Sequence, residues 1–295
     1  MTDVKHVEFT PDEALYPFES RWFDSSVGPV HYIDEGEGRP LVLMHGNPDW
    51  SFLYRKMIPQ LSPHFRCIAM DYPGFGLSVH PDGYSYLPSA HARVVTELIE
   101  HLDLQDAILM GQDWGGPIGL DVASRSHERF TGLVIGNTFG WPAHDRRQRV
   151  FSKISGTRFM QRLYRQRNLF VKRIMPTLLQ VPLSDAEFAH YTETAPSPEF
   201  RAGHAVFPAA ILGESSWLAE MNQRVRTHLS DRPVLFVMGM KDKVLTSKSF
   251  LDRWSELFPN ATWVELSKAG HFFQEDAPED TASAIIDKFA GTAAS

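Results

Sequence analysis

Short hydrophobic runs alternate along this chain with longer stretches in which hydrophobic residues recur every three or four positions. Most runs span four or five residues, as expected for strands that are buried on both faces of a sheet. The first run is a candidate for an antiparallel edge strand. The predicted strands are Arg21–Asp24, Val30–Ile33, Leu41–Met44, Arg66–Met70, Ala107–Met110, Leu133–Ile135, Val234–Met238 and Trp263–Leu266. This alternation predicts an α/β fold, with a mainly parallel sheet and helices on both of its faces.

Helical spacing is clearest in two stretches, Pro88–Leu102 and the segment from Ala282 to Phe289, each with one apolar stripe. Between about residues 139 and 228 the strands stop and only helical patterns and loops remain. The β/α rhythm then resumes with Val234–Met238. We therefore expect one core domain, residues 1–138 and 229–295, interrupted by a helical cap of residues 139–228.

The composition is that of a soluble globular protein, with 295 residues, 43% hydrophobic and 22% charged. One cysteine, Cys67, excludes a disulfide scaffold or a cysteine-based zinc site. The N-terminal segment has no basic start followed by an apolar run, and no stretch approaches the roughly 20 apolar residues of a membrane span. A net charge of −7 disfavours nucleic acid. We expect a cytoplasmic protein without a nucleic-acid or membrane partner.

The predicted cap contains a stretch of unbalanced charge. From His144 to Arg173 there are ten Lys or Arg residues and one acid, Asp145. The simplest interpretation is a solvated helix face. A second is a homo-oligomer in which the stretch contacts an acidic segment such as Glu275–Asp280 of another subunit. Nucleic acid is the weakest of the three, because no recognition motif accompanies the charge.

A strand, a tight turn and a helix meet at Gly111-Gln112-Asp113-Trp114-Gly115-Gly116. The pattern G-x-D-x-G in this context is a nucleophile elbow with aspartate in the usual serine position. Such a turn raises one side chain above the strand end, next to the free N–H groups of the following helix. An N-cap aspartate is the alternative interpretation.

The partners of an elbow nucleophile are an acid and then a histidine, in that chain order. Asp242 follows the strand Val234–Met238, and His271 follows the strand Trp263–Leu266. Both positions lie just beyond the carboxyl ends of predicted strands, where open α/β sheets hold their sites. The constellation therefore favours Asp113 as nucleophile, His271 as base and Asp242 as the acid that orients it.

A carboxylate nucleophile determines the chemistry. Attack on a saturated carbon gives an alkyl ester of the enzyme, which water then hydrolyses with His271 as base. The substrate must carry a leaving group such as a halide or an epoxide oxygen. Asn47, in the loop after Leu41–Met44, and Trp114 provide neutral N–H donors that suit a departing halide. Tyr164 and Tyr191 keep the epoxide alternative open, since an epoxide oxygen needs a proton donor.

Several motifs resemble the haloalkane dehalogenases of the α/β-hydrolase fold, and the resemblance extends over essentially the whole chain. The fold that it implies is a mostly parallel eight-stranded sheet flanked by helices, with an inserted helical cap. The segments that carry the resemblance are Leu15–Phe18, His45–Arg55, Asp71–Ser78, Gly111–Gly116 and Gly270–Glu275.

The resemblance implies hydrolysis of a small apolar haloalkane to an alcohol, a halide and a proton, with water as co-substrate and without cofactor or metal. The matching positions are Asp113 for the nucleophile, His271 for the base, and Trp114 and Asn47 for the halide donors. The acid varies in this family between the sixth and seventh strands. Asn137 stands at the sixth-strand position, so Asp242 is the acid, a combination that resembles the third subgroup of the family.

The resemblance also separates the chain from related enzymes. Epoxide hydrolases typically carry an aromatic residue where Asn47 stands, and fluoroacetate dehalogenases place an arginine near the nucleophile. A fold relative that binds a ligand without turnover is a further alternative, although no triad member is missing. In the cap, Phe170 and the pair Phe207-Pro208 match positions near the halide or along the access tunnel.

Overall fold

The computed structural model describes residues 4–291 and is built around an eight-stranded sheet. The strands are β1 Arg21–Ser25, β2 Gly28–Glu35, β3 Pro40–Met44, β4 Arg66–Met70, β5 Ala107–Asp113, β6 Phe130–Thr138, β7 Val234–Gly239 and β8 Thr262–Leu266. In space they follow the order β8-β7-β6-β5-β3-β4-β2-β1, and β2 runs antiparallel to both β1 and β4. All other neighbouring strands are parallel.

The predicted fold class and the eight strands are confirmed, including the antiparallel edge strand. Several strands are longer than predicted, because glycine and polar residues continue the pairing of β5 and β6 beyond their hydrophobic runs. A separate two-stranded ribbon, Val4–Lys5 with His80–Pro81, was not predicted. Strands of two residues are too short to show a period.

Side chains alternate between two apolar layers, one on each face of the sheet. In β3, Val42 and Met44 belong to one layer, whereas Leu41 and Leu43 belong to the other. The first layer is covered by the helices Pro88–His101, Gly115–Arg125, Ser215–His228 and Lys248–Leu257. The second is covered mainly by Ile58–Leu61 and Pro278–Phe289. The fully buried Cys67 lies in the second layer.

Between β6 and β7 the described chain has no strand, as predicted. The α-helices of this region are Arg146–Ser155, Arg158–Arg167, Met175–Leu178, Asp185–Glu193, Ala202–Gly213 and Ser215–His228, with a π-helical turn at Phe170–Ile174. The remaining short elements are the 3₁₀ turns Ser51–Tyr54 and His127–Arg129 and the helical turn Phe273–Asp276.

The last helix of this region packs mainly against the core. Ser215–His228 lies against Gly115–Arg125 and buries Leu218, Met221 and Val225 in the first apolar layer. We propose the division of the chain into a core and a cap of residues 139–228, in which this helix is the return from the cap to the core.

The parallel strands β3, β5, β7 and β8 end at the same edge of the sheet. The loops that follow them carry Asn47, Asp242 and His271, and Asp113 ends β5. Residues of the cap region close over this edge, for example Phe207, whose ring lies 5.5 Å from that of Trp114. The fold thus brings the candidate residues together under the cap.

Candidate active site

Asp113 has a left-handed backbone conformation, with φ of 48°. Few residues other than glycine adopt this conformation, and it marks the sharp turn of an elbow between strand and helix. The turn is tight because its neighbours carry no side chain. A Cβ atom on Gly115 would lie 2.0 Å from the carbonyl oxygen of Met44, so only glycine fits between β5 and β3.

One oxygen of the Asp113 carboxylate is held by backbone N–H groups. The N–H of Asn47 donates to Oδ2 at 2.9 Å, and the N–H of Trp114 also bonds to the carboxylate. The other oxygen, Oδ1, lies 3.9 Å from Nε2 of His271. The side chain remains 17% exposed, enough to meet a ligand. The carboxylate thus has one oxygen in an oxyanion-hole position and one directed to the histidine.

His271 and Asp242 form the hydrogen-bonded pair that the sequence predicted. Nδ1 of His271 lies 2.7 Å from Oδ2 of Asp242. The other carboxylate oxygen, Oδ1, accepts from the backbone N–H groups of Val244 and Leu245, both at 3.0 Å. Since Asp242 accepts at Nδ1, that nitrogen carries the proton and Nε2 faces Asp113.

Asn137 fixes Asp242 and was not predicted to have a role in the site. Its Nδ2 donates to the carbonyl of Gly239 at 3.0 Å and to Oδ2 of Asp242 at 3.3 Å, and its Oδ1 accepts from the N–H of Gly239 at 2.7 Å. Asn137 has a φ of 34°, and the pairing of β5 with β6 is irregular beside it. Such a bulge re-aims a side chain, here toward the acid.

The electrostatics of the three groups are linked. Burial alone would lower the pKa of His271, but the hydrogen bond to Asp242 and the charges of Asp242 and Asp113 outweigh burial and raise it to about 9. Burial alone would raise the pKa of Asp242, but His271 and the N–H of Leu245 hold it at about 2. Burial raises the pKa of Asp113. The charge of His271 and the N–H of Asn47 act in the opposite direction, and the effect of burial is larger.

A cavity of about 500 Å³ opens onto Asp113, Asp242 and His271. Asn47 and Trp114 line it beside Asp113. Its other walls are mainly apolar and come from core and cap: Phe139, Phe151, Phe170, Ile174, Met175, Leu178, Pro208, Ile211, Leu245 and Phe272. The size and lining suit a small apolar ligand with a polar reacting group at one end.

The two predicted halide donors differ in their surroundings. The amide nitrogen of Asn47 donates to the carbonyl of His204 at 3.3 Å, which orients the amide and leaves its second N–H for a ligand. The Trp114 ring is held between Phe139, at 4.9 Å, and Phe207, at 5.5 Å. Both side chains are therefore fixed by protein contacts before any ligand enters.

The three cap residues are placed differently. Phe170 and Pro208 line the cavity, as the resemblance implied. Phe207 does not line it and lies fully buried between Trp114 and Phe75, with its ring 5.2 Å from that of Phe75. Adjacent positions of the helix Ala202–Gly213 point in different directions, so Phe207 supports Trp114 while Pro208 contacts the cavity.

The two tyrosines that favoured an epoxide lie away from the cavity. Tyr164 shares a hydrogen bond of 2.9 Å with Ser155, and Tyr191 donates to Glu275 at 2.7 Å. Both side chains are buried, and no tyrosine lines the cavity within the described residues. The site therefore contains no hydroxyl donor of the kind that an epoxide oxygen needs.

Some residues of the site belong to no sequence motif that would have predicted their role. Gln112, just before the nucleophile, donates to the carbonyl of His271 at 3.0 Å and ties the elbow to the histidine loop. The walls Phe139 and Leu178 have only general hydrophobic character in the sequence. Across residues 4–291, no group of three His, Cys, Asp or Glu side chains could hold a metal ion, and no helix is long and apolar enough to cross a bilayer.

Comparisons with known proteins identify relatives of this chain. Residues 39–278 match the family of the alpha/beta hydrolase fold. The chain is 46% identical over 283 residues to haloalkane dehalogenase 2 of Mycobacterium tuberculosis, a match that covers 96% of this chain and 99% of that protein. It is 31% identical over 291 residues to the haloalkane dehalogenase of Sphingobium indicum, covering 91% of this chain and 95% of that protein.

Solved structures extend the likeness to three dimensions. The crystal structure of haloalkane dehalogenase DbeA from Bradyrhizobium elkani superposes with a TM-score of 0.83 at 26% identity, covering 93% of this chain and 98% of that chain. A putative ancestral haloalkane dehalogenase gives a TM-score of 0.81 at 27% identity, covering 90% of this chain and 97% of that chain. By sequence and by structure, the chain belongs to the haloalkane dehalogenases, a family of hydrolases with the α/β-hydrolase fold.

Proposed function

We propose that this protein hydrolyses carbon–halogen bonds of small haloalkanes, with Asp113 as nucleophile, His271 as base and Asp242 as the acid that orients it. The observation that carries the proposal is the position of the Asp113 carboxylate. One of its oxygens is held by the N–H of Asn47 at 2.9 Å, and the other faces an apolar cavity beside His271. A carboxylate in that position can attack a saturated carbon.

In the first step, Oδ1 of Asp113 forms a bond to the carbon as the carbon–halogen bond breaks. The halide leaves with the electron pair of the broken bond. The side-chain N–H groups of Asn47 and Trp114 stabilise the halide without giving up a proton. The apolar walls strengthen these contacts, because charge interacts more strongly in a medium of low dielectric constant.

In the second step, Nε2 of His271 takes a proton from water, and the resulting hydroxide attacks Cγ of the ester. The negative charge that develops on Oδ2 is stabilised by the backbone N–H of Asn47. The bond between Cγ and Oδ1 then breaks and Oδ1 takes the proton from His271, so the alcohol leaves with Oδ1 and Asp113 keeps the oxygen from water, whose second proton is released. One halide and one proton are released per turnover, and neither step calls for a cofactor.

An epoxide hydrolase is the chemically nearest alternative, and the cavity offers it little support. Its walls include no tyrosine, whereas both neutral donors beside Asp113 suit an anion that needs no proton. A binding protein without turnover is also disfavoured, because the 2.7 Å contact of Nδ1 of His271 with Oδ2 of Asp242 is the kind that orients a histidine as base.

The test is halide release from 1-bromobutane and 1,2-dibromoethane, with an epoxide of similar size as control. We expect bromide release by the wild type, none by Asp113→Ala, and no hydrolysis of the epoxide. In His271→Gln, intact-protein mass spectrometry should detect the alkyl ester accumulating on Asp113. Bromide release by Asp113→Ala at the wild-type rate, or faster turnover of the epoxide than of the bromoalkanes, would contradict the proposal.

A further inference from the structure

The first helix of the cap, Arg146–Ser155, exposes its apolar side chains to solvent. Val150 is 47% exposed, Phe151 46% and Ile154 52%, whereas the buried side chains of this helix are Ser152 and Ser155. Soluble proteins usually orient such a helix in the opposite way, with the apolar stripe inward. About half of each of these three side chains is therefore left uncovered by residues 4–291.

Hydrogen bonds explain why the serines lie inside. The hydroxyl of Ser152 donates to the carbonyl of Ala209 at 3.0 Å and accepts from the N–H of Leu212 at 3.1 Å. Ser155 shares a hydrogen bond with Tyr164. The helix is thus anchored to Ala202–Gly213 through its polar side. Its orientation is fixed by specific bonds, so the exposed apolar side is a stable feature of the fold.

The segment that contains this helix carries an unusual excess of positive charge. All ten basic residues between His144 and Arg173 are exposed, and none forms an ion pair within the described residues. The chain has 29 basic and 36 acidic residues, so the remainder holds 19 basic and 35 acidic residues. One basic, exposed segment thus belongs to an otherwise acidic chain.

Charge and apolar surface are interleaved in a specific order. At 100° per residue, Val150 and Ile154 lie at the centre of the exposed side of the helix, with Lys153 on one flank and Arg147 on the other. The next helix, Arg158–Arg167, adds Phe159, which is 74% exposed. We call the exposed side of these two helices the cap face.

The cap face borders the mouth of the cavity. Arg147 and Phe151 belong to the cap face and also line the cavity. Across the mouth, Val244 lines the cavity and is 61% exposed. An object bound to the cap face would therefore lie beside the entrance to Asp113.

We propose that the cap face binds peripherally to a bilayer of anionic lipid. An apolar stripe flanked by Lys and Arg is the pattern of helices that lie in the membrane interface. The phosphate groups of the lipid would meet the basic side chains of the cap face, and Val150, Ile154 and Phe159 would enter the boundary with the acyl chains. The sequence predicted no membrane partner because it has no spanning segment, and peripheral binding depends on exposure that the sequence does not reveal.

A second copy of the chain fits this surface less well. A symmetric contact between two cap faces would bring like charges together. In the acidic segment proposed from the sequence, Glu275–Asp280, two of the four acids are engaged within the chain. Glu275 is fully buried against Arg55, and Asp276 accepts from the N–H groups of Gln180 and Gly270. Nucleic acid would satisfy the basic side chains and leave the apolar stripe in water.

Binding to lipid would place the cavity mouth at the membrane surface, where small apolar haloalkanes concentrate. This consequence rests on the proposed function, whereas the binding itself does not. The two can be separated, because lipid binding is measured without substrate and halide release is measured without lipid.

The experiment is sedimentation of the full chain with vesicles. One set consists of phosphatidylcholine alone, and the other contains about one third phosphatidylglycerol, which gives a strongly negative surface. We expect the protein to sediment with the anionic vesicles at low salt and to remain in the supernatant with the neutral ones. High salt should weaken the binding by screening.

Two double variants test the two components of the cap face, and neither contains a cavity residue. Arg149→Glu/Lys153→Glu removes charge, and we expect a loss of apparent affinity of at least about tenfold, since each basic residue near an anionic surface contributes roughly fivefold. Ile154→Gln/Phe159→Gln removes apolar surface and should also weaken binding. Matched controls elsewhere on the surface are Arg226→Glu/Lys268→Glu and Trp22→Gln, which should bind as the wild type does.

Three results would overturn the proposal. One is equal sedimentation with neutral and anionic vesicles, or with neither. Another is an equal loss of binding to anionic vesicles in the cap-face variants and in the control variants. The third is a dimer in analytical ultracentrifugation that disappears in the cap-face variants while no vesicle binding occurs, which would assign the surface to a second copy. Halide release from soluble 1-bromobutane should be unchanged in all four variants, so a failure of lipid binding leaves the proposed function intact.

Discussion

Nε2 of His271 lies 3.9 Å from Oδ1 of Asp113, too far for a hydrogen bond and close enough for strong charge attraction. The charge of Asp113 is one of those that raise the pKa of His271 to about 9. In the free protein the charges of Asp242 and Asp113 thus favour the protonated form of His271. Formation of the alkyl ester removes the charge of Asp113, so we expect His271 to become an available base only once the ester exists.

This coupling predicts the effect of Asp113→Asn, in which an uncharged amide imitates the uncharged ester. The pKa of His271 should fall by about one pH unit or more relative to the wild type, because an opposite charge near a histidine favours its protonated form. Titration of the imidazole signal of His271 by nuclear magnetic resonance, in the wild type and in the variant, measures the change. Equal values in the wild type and the variant would show that Asp113 does not control the base.

The halide donors can be tested in the first step alone. Asn47→Ala and Trp114→Phe each remove one N–H from the neighbourhood of the leaving group. Loss of one donor to a developing anion typically costs about 100- to 1,000-fold in rate. We expect losses of that order in the burst of ester formation, measured by rapid quenching. Trp141→Phe is the matched control, since Trp141 does not line the cavity and should retain the wild-type burst.

Asn137 should contribute to stability as well as to the position of Asp242. Asn137→Ala leaves the buried N–H of Gly239 without its acceptor and removes one donor from Asp242. An unsatisfied buried group of this kind costs about 1–3 kcal/mol. Denaturation by urea should show a loss of that size, whereas Asn260→Ala, at an exposed position, should change the free energy of unfolding little. Equal stability of the two variants would contradict the role assigned to Asn137.

A buried ion network joins the cap helix Asp185–Glu193 to the core. Arg55 pairs with both Glu275 and Glu187, and the carboxylate of Glu275 also receives Lys56 at 2.9 Å. The side chains of Arg55 and Glu275 are 3% and 0% exposed. In Glu275→Gln, Arg55 loses its fully buried counter-charge and keeps only Glu187, so the free energy of unfolding should fall by about 3 kcal/mol, the lower end of the range for breaking a buried pair.

The matched control for this network is the exposed pair Lys248–Asp252, whose side chains are 88% and 54% exposed. Asp252→Asn should change the free energy of unfolding by about 0.5 kcal/mol or less, because water screens exposed charges. Denaturant titration of both variants measures the contrast. A small effect in Glu275→Gln would mean that the network is not required to hold the cap.

Much of this architecture could be predicted from the sequence because buried parallel strands leave a clear hydrophobic signal. The runs around Leu41, Ala107 and Val234 marked β3, β5 and β7, and the chemistry followed from what stands at their carboxyl ends. Asp113 and His271 were identifiable because an elbow needs glycines at fixed spacing and its partners follow in fixed order.

Features that depend on packing between distant segments could not be predicted. The sequence gives no direction for Phe207 and Pro208, which lie on one helix and face different surroundings. In the sequence, Asn137 indicated only that the sixth-strand position has no acid. The bulge in β6, which the sequence does not show, directs the Asn137 amide to Asp242. The apolar side of Arg146–Ser155 is exposed because hydrogen bonds hold Ser152 and Ser155 inside. The hydrophobic pattern of the sequence does not predict these bonds.

The central claim is that Asp113 forms an ester that is cleaved at its own carbonyl carbon. A single turnover in heavy-oxygen water, with enzyme in excess over 1-bromobutane, tests this directly. Mass spectrometry should find the heavy oxygen in the peptide that contains Asp113 and ordinary oxygen in the alcohol. Heavy oxygen in the alcohol, with an unlabelled Asp113, would mean that water attacks the substrate directly and would contradict the account.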